Sequence, residues 1–150
     1  MNKSNLSPSR KGSGLPLGIR NNNPLNIRKV PGTTWRGSIS PDASTERERG
    51  FVRFSSIEWG LRAAFCILRT YARRHGLVSI RDIIRRWAPP AENQTEQYIR
   101  NVCLWTGLSG QQRLSEGDWP LLVKAMARQE CGVQLDDAVI ARGFCLYKLF

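Results

Sequence analysis

The spacing of apolar residues along the chain changes near Ser56. From there Ile57, Leu61, Ala64, Phe65, Leu68 and Tyr71 recur at helical intervals and make one apolar stripe that stops near Gly76. Ser79 with Asp82 three positions on is a capping pair and predicts a short helix with Ile80, Ile83, Ile84 and Trp87 turned inward. Ala88-Pro89-Pro90 stops it, because proline lacks the amide and clashes with the preceding turn. Thr95 can cap the next helix, whose inner face is Tyr98, Ile99, Val102 and Cys103 and which Gly107 closes. Ser115 with Asp118 repeats the capping pattern ahead of a stripe of Trp119, Leu122, Val123, Met126 and Ala127. Gly132 suits the end of that helix. A last helix, capped by Asp136 or Asp137, buries Val139, Ile140, Phe144 and Tyr147.

The N-terminal third has another character. Residues 1–17 are rich in Ser, Asn, Pro, Gly and basic residues, the composition of a flexible leader. Residues 18–50 carry little helical period and are punctuated by Gly18, the Asn21-Asn22-Asn23-Pro24 run, Pro31-Gly32, Gly37 and Pro41. Extended pieces around 25–30, 34–39 and 51–54 predict a small irregular hairpin sheet. The expected fold is α+β, mainly α: about five helices with a small N-terminal β-hairpin element. A length of 150 residues suits one domain, placed at 18–150 behind the leader.

Hydrophobic residues are 41% and charged residues 23% of the chain, ordinary globular usage that excludes wholesale disorder. No apolar run approaches the roughly 20 residues that span a bilayer, and the N-terminus lacks the apolar stretch of a signal peptide. If the protein works outside the cytoplasm, something else must carry it there. Lys and Arg total 23 against 12 acids, a net +11, which attracts polyanions: nucleic acid, an acidic membrane face or the anionic polymers of a bacterial wall. The arginines are spread along the chain with no zinc-finger or RNA-binding signature, so charge alone does not select nucleic acid. A solvated basic surface is the plain alternative. Cys66, Cys103, Cys131 and Cys145 form no C-x-x-C pair, which argues against a structural zinc or a thioredoxin-like motif. Cys66 and Cys103 read as small buried hydrophobes, and a disulfide among the four stays open. The single histidine, His75, follows Arg73-Arg74 at a helix end and reads as a surface residue. No metal or organic cofactor is expected.

Glu130 is the sharpest chemical clue. Met126, Val123 and Trp119 precede it by 4, 7 and 11 positions, so its side chain shares their apolar stripe. A carboxyl there is partly desolvated, which favours the neutral acid that a general acid needs. The alternative is a last-turn Glu that bends out to water or pairs with Arg128 or another arginine.

The stretch VKAMARQECG, residues 123–132, resembles the A-x-x-x-x-E-S-G end of the catalytic helix in lysozyme-like enzymes, with Cys131 where Ser is usual. Those enzymes include lytic transglycosylases, goose-type lysozymes and peptidoglycan glucosaminidases. Residues 21–37 and 44–71 are similar to the post-catalytic part of glucosaminidases, a turn and hairpin followed by a helix. GIRNNNPLNIR, FVRFSS, RRWAPPAEN and YIRNV also resemble a group of phage and prophage proteins, described as virion structural proteins or wall-degrading enzymes. In ordinary lysozyme-like enzymes the catalytic helix precedes the hairpin, whereas here the matching helix follows it. Circular permutation accounts for the order if the helix bearing Glu130 packs beside the N-terminal hairpin.

The resemblance implies a peptidoglycan glycan-strand hydrolase, a muramidase or a lytic transglycosylase, delivered to the cell wall by virion, holin or secretion machine. Glu130 would be the general acid, Glu46 its partner and Glu48 the reserve, although the alternating charges of TERERG also suit any exposed hairpin. Asn21, Asn22, Asn23, Asn26, Trp35, Trp87, Glu92, Asn93 and Tyr98 are the candidates for holding sugar, since saccharide sites combine aromatic platforms with amide donors. Glu92 also suits a structural role, fixing its Pro-rich loop by hydrogen bonds to backbone amides, and Glu58 suits the first turn of its helix. Trp59 and Trp119 read as core residues, and Trp35 as the exposed aromatic. The partners expected are glycan strands and other virion or secretion-machine components, without nucleic acid. Two other classes remain: a non-catalytic virion or wall-binding protein, and a basic nucleic-acid-binding protein.

Overall fold

The computed structural model describes residues 14–40 and 50–150. Among them the fold is α+β and mainly α: α1 (Leu17–Arg20), β1 (Ser38–Ile39), β2 (Arg53–Phe54), α2 (Ile57–His75), α3 (Ile80–Trp87), α4 (Thr95–Thr106), α5 (Trp119–Cys131) and α6 (Asp137–Leu149). A 3-10 turn, Glu116–Asp118, leads into α5. No helix among the described residues is long and apolar enough to cross a membrane.

The stripe expected on α2 is the centre of the core, with Leu61, Ala64, Phe65 and Leu68 shut off from solvent. Ser56 starts the helix by accepting from the Trp59 amide, and Gly76 ends it in the left-handed conformation, φ 66°. α6 crosses α2 closely because Gly143 has no side chain: a Cβ there would stand 2.6 Å from Cβ of Leu61. Around the crossing the Phe65 ring meets Phe144 edge-on at 5.0 Å and Tyr147 at 5.8 Å. α5 buries Trp119, Leu122, Val123, Met126 and Ala127, the stripe read from its spacing.

Three expectations about helix starts and leaders need correcting. Thr95 does not cap α4; it is the first helical residue, and its hydroxyl donates to the Ala88 carbonyl, tying the Pro-rich loop to the helix. The Ser115–Asp118 box forms, with Asp118 Oδ2 2.8 Å from the Ser115 amide, yet it opens the 3-10 turn rather than α5 itself. α5 then begins with Pro120 in its first turn. Residues 1–13 of the expected leader lie outside the described residues, and Leu17–Arg20 forms a single helical turn where no helical period was read.

The hairpin is smaller than the sequence implied. β1 and β2 pair antiparallel with Ser38 opposite Phe54 and Ile39 opposite Arg53. Residues 25–30 supply only an isolated bridge, Arg28 to Phe51. Asn23 explains why: this fully buried side chain does the work of a strand partner. Its Oδ1 accepts from the Ile27 amide at 2.8 Å, while Nδ2 donates to the Ile27 and Val52 carbonyls at 3.0 and 2.8 Å. The segment is thereby folded into a tight turn against β2 rather than extended beside it.

Candidate active site

Glu130 ends the buried face of α5 and is 2% exposed. Tyr98, on the inner face of α4 and itself 1% exposed, donates its hydroxyl to Glu130 Oε2 at 3.0 Å. From the far end of the sequence, Asn26 Nδ2 donates to the Glu130 backbone carbonyl at 3.2 Å and reaches Oε1 at 3.4 Å. The N-terminal turn and the end of α5 thus meet at this carboxyl.

Two local devices bring Asn26 there. Its backbone is left-handed, φ 53°, a conformation that Asn tolerates better than most L residues. Gly18 lets the turn approach α5: a Cβ at that position would lie 2.9 Å from both the Asn23 carbonyl oxygen and Asn26 Oδ1, and 3.3 Å from Cβ of Cys131. A larger residue would push the turn away from the carboxyl.

Glu130 faces a cavity of about 370 Å³. Asn26, Trp35, Trp87, Glu92 and Asn93 line it with Glu130, so six of the proposed site residues share one space. Asn93 also fixes the Pro-rich loop, donating from Nδ2 to the Pro89 carbonyl at 3.1 Å, while Glu92 is exposed at the cavity wall. Trp35 is half-buried and packs on the core rather than standing exposed. Trp59 also packs there, with Gly37 against its ring, and Trp119 is buried.

Four proposed sugar contacts do not line the cavity. Asn22 donates from Nδ2 to the Phe54 carbonyl at 3.0 Å, and Asn23 is the buried turn partner described above. Asn21 is buried, and its carbonyl accepts from the Phe54 amide at 2.9 Å. These three build the turn. Tyr98 lies behind Glu130, too buried to stack on a sugar, and acts on the carboxyl instead. Glu46 and Glu48 lie outside the described residues. Glu58 pairs with Arg142, Nε to Oε2 at 2.9 Å, and His75 is exposed in the last turn of α2.

Tyr71 and Arg28 are among the wall residues that the sequence does not single out as site residues. Tyr71 closes the apolar stripe of α2, where a phenol and a core residue give the same periodic signal. Its ring meets Trp87 edge-on at 6.3 Å, and the Arg86 guanidinium lies 5.4 Å from its centroid. The pair forms an aromatic corner beside the carboxyl.

The electrostatics favour a donor at Tyr98. Burial above all, then the adjacent Glu130 charge, holds the Tyr98 phenol well above its ordinary value, so it keeps its proton. At Glu130, burial disfavours the charged form and the Tyr98 hydrogen bond favours it. Cys131, beside it, is 2% exposed, and burial pushes its thiol up to about 11, the reverse of a reactive cysteine. All four cysteines are free thiols.

No model of a known protein family matches the chain. The chain is 43% identical over 117 residues to protein P5 of Pseudoalteromonas phage PM2, a match covering 77% of this chain and 71% of that protein.

Proposed function

On the premise that the chain belongs to the family of protein P5 of Pseudoalteromonas phage PM2, we propose that it cleaves the glycan strands of the bacterial wall with Glu130 as general acid. The observation that carries this reading is a buried carboxyl at a cavity wall, held from one side by Tyr98 and from the other by Asn26. Few structural roles require a carboxyl at the end of an otherwise apolar helix face. Retaining one there is costly unless its hydrogen bonds are satisfied.

A glycan strand lying in the cavity rests on the Trp87–Tyr71 corner and Trp35, with Asn26 and Asn93 available to hydroxyl and acetamido groups. Protonated Glu130 gives its proton to the glycosidic oxygen as the C–O bond breaks, leaving an oxocarbenium-like sugar. The acceptor is water in a muramidase, or the sugar's own hydroxyl in a lytic transglycosylase. Glu46 is the proposed partner that stabilises the positive sugar or activates water, with Glu48 in reserve. The net charge of +11 holds the protein to an anionic wall, an attraction that salt weakens.

The decisive experiment digests purified peptidoglycan and identifies the products by mass spectrometry. Anhydro ends indicate a lytic transglycosylase and reducing ends a hydrolase. Glu130→Gln should keep the fold and release no muropeptide fragments. Wild-type release by that variant would discard the assignment, and a folded wild-type protein that binds the wall without cleaving it would make this a wall-binding virion component.

A further inference from the structure

We infer that Glu92 is a second catalytic residue of the cavity: it takes the proton of the attacking hydroxyl while Glu130 gives one to the leaving oxygen. The inference rests on the glycan-cleaving reading above and assigns its general base to the cavity wall. Glu92 and Glu130 are the only acids among the described residues that line the cavity. They reach it from different elements, Glu130 from the end of α5 and Glu92 from the Pro-rich loop between α3 and α4. Glu58, Glu96, Glu116 and Asp137 are engaged in ion pairs elsewhere.

The loop holds Glu92 in place. Its amide and the Asn93 Nδ2 both donate to the Pro89 carbonyl at 3.1 Å, and the Thr95 hydroxyl donates to the Ala88 carbonyl. Ala88 is itself buried and lines the cavity, so these bonds anchor the turn to the cavity wall. A fixed backbone is what a base needs to stay within reach of the proton it removes. The two acids also differ in surroundings: Glu130 is buried, whereas the Glu92 side chain is exposed. Burial favours a neutral carboxyl and solvation a carboxylate, which divides donor from acceptor between two acids of one site. In the step, the glycosidic C–O bond breaks as Glu130 protonates the departing oxygen. The acceptor oxygen, from water or from the glycan's own hydroxyl, bonds to the anomeric carbon, and its proton passes to Glu92. Glu130 is left ionised and Glu92 neutral, and proton exchange with solvent restores both. Glu46 keeps the other part of the role proposed above, stabilising the positive sugar. With water as acceptor, the anomeric centre inverts.

The test measures initial rates on soluble peptidoglycan fragments for the wild type, Glu92→Gln and Glu92→Ala, with and without sodium azide. Both variants should lose about 100-fold or more in kcat, the usual contribution of a general base, with KM little changed. Azide attacks carbon without giving up a proton. It should therefore restore part of the turnover of Glu92→Ala and leave glycosyl azide among the products. Glu130→Gln should gain nothing from azide, because its leaving oxygen still lacks a proton. Glu92 is exposed, so both variants should fold, which circular dichroism checks. Wild-type kcat in Glu92→Gln, a loss confined to KM, or a kcat loss that azide leaves unchanged overturns the inference and leaves the glycan reading standing. A folded wild-type protein that cleaves none of the fragments removes both.

Discussion

The Tyr98 hydroxyl stands 3.0 Å from Oε2 of Glu130, one buried side chain donating to another across the α4–α5 contact. Tyr98 is a positioning residue, since it touches the acid and not the cavity. Tyr98→Phe keeps the ring and deletes the donor. The loss should cost about 1–3 kcal/mol of stability, the usual range when a buried acceptor loses its partner. It should also favour the neutral carboxyl, so the basic limb of the pH–rate profile moves to higher pH. A ring that only fills space would leave that limb where it was, which makes kcat against pH the measurement to take.

Two of the fold's close approaches at glycine separate structure from chemistry. Gly18→Ala would drive a methyl against Asn26 and Cys131, and Gly143→Ala would drive one against Leu61 at the α2–α6 crossing. Both should destabilise by about 1–3 kcal/mol through overpacking. Only Gly18→Ala should also lower turnover, because only it moves Asn26 relative to Glu130. Thermal unfolding and activity assayed well below both midpoints test the contrast; equal activity losses would contradict it.

Glu130 was legible from arithmetic alone, since positions 4, 7 and 11 back are all apolar and a helix converts that spacing into one face. The helical stripes were legible for the same reason. Tyr98 marks the limit of periodicity: the pattern turns it inward, but whether a buried phenol meets a sugar or a carboxyl depends on α5, 32 residues away. The asparagines show it more sharply. Asn22, Asn23 and Asn26 share one side-chain chemistry, yet one satisfies the Phe54 carbonyl, one substitutes for a strand and one reaches Glu130 across 104 residues. Sequence gives the donors of a turn, while tertiary packing decides what they face. Short irregular pairing is equally hard to read, because Asn23 satisfies bonds that a regular ladder would otherwise claim.

Asn26 offers a test of backbone against side chain. Asn26→Gly tolerates the left-handed backbone but removes the amide donor, whereas Asn26→Ala removes the donor and adds strain of about 1–2 kcal/mol. The Ala variant should therefore be about 1 kcal/mol or more less stable than the Gly variant. Both should lose activity to a similar degree, because the same bond to Glu130 is missing in each. Activity close to wild type in the Gly variant would show that the amide has no part in setting the acid.

Stability should fall in alkali in a window set by buried groups that resist losing protons. Cys131 is pushed by burial from 9.0 up to about 11, and Tyr147 by burial and then its hydrogen bond to Glu116 from 10.0 up to about 12. A group whose folded value is raised contributes fully below its unfolded value and loses that contribution as pH rises through the folded one. Cys131 should accordingly contribute across the range below pH 9 and lose about 2–3 kcal/mol between pH 9 and 11. Tyr147 and Tyr98 extend the decline above pH 10, since both phenols are raised. Unfolding midpoints measured from pH 7 to 11 should therefore drop steeply only beyond pH 9. Cys131→Ala has no proton to lose there, so its curve should fall less between pH 9 and 10 than the wild type's, with Cys103, whose thiol burial also raises, still contributing. A variant curve parallel to the wild type throughout would place the alkaline loss in other groups.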